Sequence, residues 1–588
     1  MRENIRTLRI RQHGTVLVQR SNWLLAAAAG LNFLGYLSWF LVLHLHSVGW
    51  APGQVLDLFP GYWSWFYRIF FSADEVFAAR RSQLAAHHPA LQIAAWLVMA
   101  VAFIALLRRI RATPSLRLRV LLGLAGLFSV PLLLVPNLLS GDVYSYISFG
   151  RIAAIYGANP FIDPPAAFPL DPYFHFIGWI NVPSVYGPTW IYLSMVVTAL
   201  VEATLPHVAT YVLAYKLLAL GLHLLNGVLL WRILCYWRPE QRAWGTALYL
   251  LNPLALTEFA SNGHNDVLMI TLILVAILLH LRGYWPAAVV ALTLAVLTKW
   301  IALPLVGLYS ILLLWQGRNW GQRVRYALVS TLVFATLCVV LYAPYWEASG
   351  GWDQPGGRYT LRVLFDAPPQ KRLINSLGDM VASEYGRLMY QLGKWPNPAI
   401  IDMGPTVSAF GNSINDDTQQ GNWQAQQEKR FNQYIREQKQ LRDQVIGLQQ
   451  GVQDRVRQLG LVVFGLVCVA GVLLTRNLRT MLLASAWILF TYATLTAVWV
   501  WPWYATWFVA LAALLDWRVA GRGALLLSLL VLLLYPMFPV MPEPTLLERY
   551  RALIVFGPPL GFVIIQGVKL VMRWRQHEVQ MYDERAFA

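Results

Sequence analysis

Residues 242–281 read RAWGTALYLLNPLALTEFASNGHNDVLMITLILVAILLHL. Two apolar blocks, about 242–258 and 266–281, enclose a short stretch at 259–265 that is rich in amides and carries His264. Each block approaches the roughly 20 residues with which a helix crosses a hydrocarbon core. The groups at the junction, Glu258, Asn262, His264, Asn265 and Asp266, are costly at membrane depth. The pattern therefore predicts two helices that meet in a polar turn at one face of a membrane.

Similar blocks fill most of the chain, at about 22–46, 88–107, 119–137, 209–234, 285–298, 300–315, 326–344, 457–474, 480–499, 503–517, 523–540 and 550–571. With the two above they predict 14 spans, several of them short. The expected fold class is all-α: a polytopic transmembrane helical bundle. Composition agrees, since 57% of the 588 residues are hydrophobic and 13% charged, against about 25% charged in soluble domains. An aromatic stretch at 54–72 contains Pro60 and Gly61 and reads as an interfacial helix. Cys235, Cys338 and Cys468 lie in or beside apolar stretches without metal-ligand spacing, so they imply no zinc site or disulfide framework.

The net charge of +17 would suit a nucleic-acid partner if its placement were ignored. Placement excludes that partner. Arg108, Arg109, Arg111, Arg117 and Arg119 share one turn, Arg318, Arg323 and Arg325 another, Arg476 and Arg479 a third, and Arg573 and Arg575 follow the last block. All face the cytoplasm if both termini do. The block at 188–204 breaks this count and is expected to be re-entrant or interfacial.

This topology gathers 138–187, 259–265, the turn at Lys299, the stretch after Tyr345 and the turn at 500–502 on the opposite, extracytoplasmic face. The chain divides into an N-terminal membrane core, 1–345, with its outer loop 138–187; a partly helical extracytoplasmic insert, 346–456; and C-terminal spans with a tail, 457–588. Within the insert, 422–456 predicts a long helix that could engage a protein partner, and 350–421 is a small cap or a loose loop.

Asp142, in SGDVYSY, lies where a span leaves the hydrocarbon. It is either a solvated helix cap or a base able to take a proton from an attacking hydroxyl. Tyr146 is one helical turn on, placed to order a substrate, and Arg151 could offset an anion. His264 is a contact to phosphate or hydroxyl, or a satisfied structural histidine. A divalent cation on His264 and Asp266 is conceivable, although two ligands at i and i+2 do not make a site. No other cofactor follows. Lys299 either snorkels or meets a lipid-linked phosphate. Trp501, Trp503, Tyr504 and Trp507 form an aromatic belt or a wall for a sugar or isoprenoid. Together these groups suit a substrate that enters from lipid with a polar head, such as a polyprenyl-phosphate sugar. No P-loop or dinucleotide fingerprint follows an expected strand.

GDVYSYISFGRIAAIYGANPF at 141–161, VYGPTWIY at 185–192, NPLALTEFASNGHNDVLM at 252–269, TKW at 298–300 and WPWY at 501–504 resemble the multispan GT-C glycosyltransferases. They are most similar to the bacterial polyprenol-phosphate-mannose-dependent alpha-(1,6)-mannosyltransferases. The resemblance covers roughly 120–345 and 457–520 and omits the insert. It implies a plasma-membrane enzyme with an extracytoplasmic site, a beta-linked polyprenyl-phosphate mannose donor, a glycan or glycolipid acceptor, and inversion to an alpha linkage. It also implies Asp142 as the base, Tyr186, Asn262, His264, Asn265 and Asp266 near the substrates, and Lys299 on the phosphate. Phe161 departs from a GANPY-like pattern, and the insert is unusually long. The competing classes are a transporter or flippase of lipid-linked glycans, which needs a polar route across the membrane, and a catalytically degenerate scaffold.

Overall fold

The computed structural model describes residues 23–42, 89–135, 139–348, 373–396, 420–538 and 545–586; the helix expected at 54–72 lies outside these. In chain order the helices are α1 (Trp23–Val42), α2 (Pro89–Arg111), α3 (Leu118–Leu134), α4 (Asp142–Ala154), α5 (Pro188–Glu202), α6 (Val208–Trp237), α7 (Arg242–Leu250), α8 (Pro253–Ser261), α9 (Asp266–Leu281) and α10 (Trp285–Val296). They continue with α11 (Leu303–Gln316), α12 (Trp320–Ala348), α13 (Leu377–Gln391), α14 (Gln420–Leu474), α15 (Leu478–Thr491), α16 (Tyr504–Ala512), α17 (Arg522–Leu530), α18 (Leu546–Arg549) and α19 (Arg551–Ala586). Among the described residues the β contacts amount to one parallel bridge, Ile374 to Trp499. The protein is a polytopic membrane helical bundle.

Among the described residues, eight helices are long and apolar enough to cross a membrane, and the pair α8 and α9, bent by 118°, could supply a ninth. Fourteen spans was therefore too many by this measure. The blocks at 119–137, 285–298 and 300–315 fold as apolar helices of 10–17 residues, and 503–517 yields the nine-residue α16. Hydropathy does not distinguish burial in protein from burial in lipid. Every residue of α16 from Ala505 to Ala512 is buried, so its apolarity answers to neighbouring helices. At 15 residues, α5 is about 22 Å long, short of a hydrocarbon core of about 30 Å.

Helix α6 fixes the two ends of the bundle. Near its start the Tyr215 hydroxyl donates to the Tyr146 carbonyl at 3.1 Å. Sixteen residues later, about 24 Å along the axis, Trp231 lies beneath the Arg242 guanidinium. Arg111 covers Trp244 and Trp517 in the same manner. Arg111 and Arg242 thus lie at the end away from Asp142. In the insert, α14 is a single 55-residue helix, about 80 Å long, which fuses the helix expected at 422–456 with the span expected at 457–474. Helix α13 packs along it, and the Gln449 side-chain amide donates to the Tyr390 hydroxyl at 3.0 Å.

Candidate active site

Asp142 opens α4. The N-cap is Gly141, no side chain caps the helix, and the Ser140 hydroxyl accepts from the Asp142 amide at 3.2 Å. The carboxylate is thus free of capping duty and sits where the helix dipole favours negative charge. Its Oδ2 accepts from the Tyr186 hydroxyl at 3.1 Å. Lys216, buried on α6, donates to the carbonyls of Leu133 (3.3 Å) and Val135, tying down the chain seven residues ahead of Asp142.

Tyr186 owes its position to a close backbone approach. The Gly187 amide donates to the Thr298 carbonyl and the Thr189 amide to the Leu297 carbonyl, each at 3.1 Å. A Cβ on Gly187 would fall 2.0 Å from the Leu297 oxygen, so no other residue fits without displacement. The same contact brings Tyr186 next to the turn that carries Lys299.

The polar turn between α8 and α9 supplies the second face. Gly263 has φ +66°, a left-handed conformation that glycine adopts freely, and this turn directs His264 at Asp142. Nδ1 of His264 lies 3.6 Å from Asp142 Oδ2, and its Nε2 lies 3.3 Å from Glu258 Oε2. Glu258 is fully buried and accepts from Asn262 (2.9 Å) and from the Tyr535 hydroxyl (2.9 and 3.0 Å). The Trp503 ring stacks on His264 with centroids 3.9 Å apart.

Lys299 Nζ holds both oxygens of buried Asp266, at 2.7 and 2.8 Å. The same carboxylate accepts from the Trp507 indole at 2.5 Å. The ammonium also lies 5.6 Å from the ring centroids of Tyr504 and Trp507. Asp266 is thereby committed to Lys299, and among the described residues no group of three or more His, Cys, Asp or Glu side chains could hold a metal ion.

A cavity of about 900 Å³ opens over these groups. Asp142, Tyr186, Lys299, Trp501, Trp503 and Tyr504 line it. Tyr146 packs behind, edge-on to Tyr186, with its hydroxyl accepting from the Asn265 amide at 3.3 Å. Asn262, His264, Asn265 and Asp266 are fully buried and form the layer beneath. Arg151 is elsewhere: it pairs with Asp171 at 2.8 Å and with Glu202, and lies over the Tyr173 ring. Phe161 packs in an aromatic core with Tyr342 and Tyr345, away from the cavity lining. Arg457, Leu461 and Phe464 of α14, together with Trp179 and Trp499, complete the wall and were not foreseen as site residues. For Arg457 the available signal was a cation at the point where the insert helix turns apolar.

The Asp142 side chain keeps 21% of its surface exposed, towards the cavity. Burial raises its carboxyl to about 6, against the opposing pull of the Lys299 charge and the Tyr186 hydrogen bond. The site thus presents a weakly basic carboxylate, a fixed cation and aromatic faces within one enclosure.

The sequence pattern of a family described as "Alpha-(1->6)-mannopyranosyltransferase, N-terminal domain" matches residues 70–316. The chain is distantly related to the alpha-(1->6)-mannopyranosyltransferases. It is 26% identical over 306 residues to a probable alpha-(1->6)-mannopyranosyltransferase of Mycolicibacterium smegmatis, which covers 44% of this chain and 53% of that one. With alpha-(1->6)-mannopyranosyltransferase A of Mycobacterium tuberculosis it shares 28% over 263 residues, 42% of this chain and 48% of the relative. With alpha-(1->6)-mannopyranosyltransferase B of Corynebacterium glutamicum it shares 28% over 200 residues, 32% of each. The chain thus spans about half the length of the first two relatives. No solved structure matches it. The relationship is that of a GT-C-like, multispan glycosyltransferase fold. Asp142, Tyr186, the 262–266 turn and Lys299 fall inside the family match; Arg457 and the Trp-rich wall fall outside it.

Proposed function

We propose that the protein transfers mannose from a polyprenyl-phosphate donor to a hydroxyl of a glycan or glycolipid acceptor, with inversion, at the extracytoplasmic face of a bacterial plasma membrane. The observation that carries this reading is the pairing of an uncommitted carboxylate, Asp142, with an anchored cation, Lys299, on one cavity bounded by aromatic and apolar faces. Asp142 takes the proton of the acceptor hydroxyl as that oxygen bonds to the sugar C1. The bond from C1 to the phosphate oxygen breaks, and polyprenyl phosphate leaves with the electron pair, its charge offset by Lys299. The Tyr186 hydroxyl orients the carboxylate, and His264 lies between Asp142 and Glu258. Trp501 and Tyr504 offer ring surface to a sugar, with Trp503 packed behind them between His264 and Trp501, and the apolar side at Leu461, Phe464 and Ile301 suits the lipid chain. The cations at the far end, Arg111 and Arg242, support a cytoplasmic placement of that end and an outer placement of the site.

The test is turnover by the purified protein in nanodiscs, supplied with polyprenyl-phosphate mannose and a short mannoside. The expected product carries a new alpha linkage, and D142N should form it about a thousandfold more slowly while still binding the donor. Turnover by D142N near that of the wild type would overturn the assignment of the base.

A further inference from the structure

The insert reaches the cavity through a compact junction. Ile374 pairs with the strand-like segment around Trp499: its amide donates to the Val498 carbonyl at 2.8 Å, and its carbonyl accepts from the Val500 amide at 3.0 Å. The next residue, Asn375, is buried and takes φ +57°, a left-handed conformation uncommon outside glycine. That conformation is held from a third part of the chain. Arg551, at the start of α19, donates to Asn375 Oδ1 at 2.7 Å and to Asp379 Oδ2 at 3.1 Å. The Asp379 carboxylate also accepts from the Asn375 amide at 3.1 Å, and Ser376 caps α13.

The pinned segment bears the outer part of the cavity wall. Trp499 lines the cavity, meets Trp179 edge-on at 5.4 Å and Trp501 at 6.3 Å. Trp501 stacks on Trp503, parallel within 2°, and on Phe538, over whose ring Arg551 lies at 5.9 Å; Trp503 stacks in turn on His264. Three indoles therefore run from the insert junction to the histidine beside Asp142, and Arg551 fixes the outer end of that row.

We propose that Arg551, Asp379 and Asn375 form a latch that holds Trp499, braced edge-on by Trp501, as a stacking platform for a sugar ring of the acceptor glycan. This rests on the transferase reading above. The platform lies on the insert side, whereas the apolar flank suited to a donor's lipid chain, Leu461 and Phe464, belongs to the spanning part of α14. On this reading the glycan part of the acceptor enters from the insert side. Indole faces bind pyranose rings through their C–H groups and need the rings held still. Arg551 touches no reacting atom and acts as a positioning residue.

The experiment measures binding, so it does not depend on turnover. The wild type, R551A, D379N and W499A are placed in nanodiscs and titrated with a short alpha-mannoside, followed by tryptophan fluorescence, and separately with polyprenyl-phosphate mannose. Hydrogen exchange at the amides of Ile374 and Val500 is recorded in parallel. R551A is expected to weaken mannoside binding about tenfold, leave donor binding within twofold, and speed exchange at both amides. The isosteric D379N should do the same to a smaller degree. The R551A/W499A double variant should bind mannoside no worse than W499A. Unchanged exchange in R551A would overturn the latch. Faster exchange with unchanged mannoside affinity, or with weakened donor binding, would overturn its role for the acceptor. An absence of turnover by the wild type, with these binding results intact, would count against the transferase reading alone.

Discussion

The two halves of the cavity are built differently. The inner half, Asp142, Tyr186, the 262–266 turn and Lys299, consists of buried polar groups on short broken helices and lies within the stretch matched to the mannopyranosyltransferases. The outer half, Trp499, Trp501 and Arg457, is mounted on the insert, α14 and the latch to α19, and lies beyond that match. A desolvated carboxylate and a buried ion pair need surroundings that do not move, because misplacing them exposes an unpaired charge to a low dielectric. An aromatic wall can be re-aimed at far smaller cost. The inner half is thus suited to set the chemical step, and the outer half to set what is bound.

Variants of the inner half should break that division most visibly. D142N should lower kcat by about a thousandfold, the scale at which general bases contribute, with donor affinity retained. It should not destabilise the fold near neutral pH. A carboxyl raised to about 6 in the folded protein, above its ordinary value of 3.8, loses folded-state stability as pH climbs from 4 to 6. The amide carries no such cost. Thermal unfolding of D142N alongside the turnover assay checks both halves of the statement; a large drop in melting temperature would place Asp142 among the structural groups.

Lys299 should show a different signature. K299Q leaves Asp266 fully buried with the Trp507 indole and without its cation. Removing one partner of such a pair costs about 3–5 kcal/mol. The double variant D266N/K299Q removes the orphaned charge and should recover most of that stability. If Lys299 also faces the donor phosphate, the recovered double variant will still bind polyprenyl-phosphate mannose about tenfold more weakly. Donor affinity equal to that of the wild type would reduce Lys299 to a structural partner of Asp266.

How much of this was visible in the sequence follows from the range of the contacts. Asp142, Lys299 and the WPWY turn stood out because charges and aromatics at the ends of apolar blocks are few and expensive. The pairing of Glu258 with Tyr535, 277 residues apart, has no local trace, and neither does the clamp of Arg551 on Asn375, 176 residues apart. The anions that Arg151 offsets, Asp171 and Glu202, were hidden for the same reason: they come from a loop and a helix end that only the fold brings near. Among the described residues the spans come out fewer than expected because apolar blocks such as the nine-residue α16 form helices too short to cross on their own, and hydropathy does not show where a helix breaks.

The smallest effect concerns Tyr186, and it separates a tuning group from a catalytic one. Asp142 must be ionised to accept a proton, so kcat/KM should fall about tenfold per pH unit below a limb near 6. The Tyr186 hydroxyl donates to the ionised carboxylate and holds the carboxyl lower than burial alone would leave it. Y186F removes that donor while keeping the ring that packs edge-on against Tyr146. The limb should therefore move to higher pH, with the rate on the alkaline plateau lowered only a few fold. Burial without the hydrogen bond raises the carboxyl further, never the reverse, so a limb that moved to lower pH, or stayed in place, would show that the base is a different group.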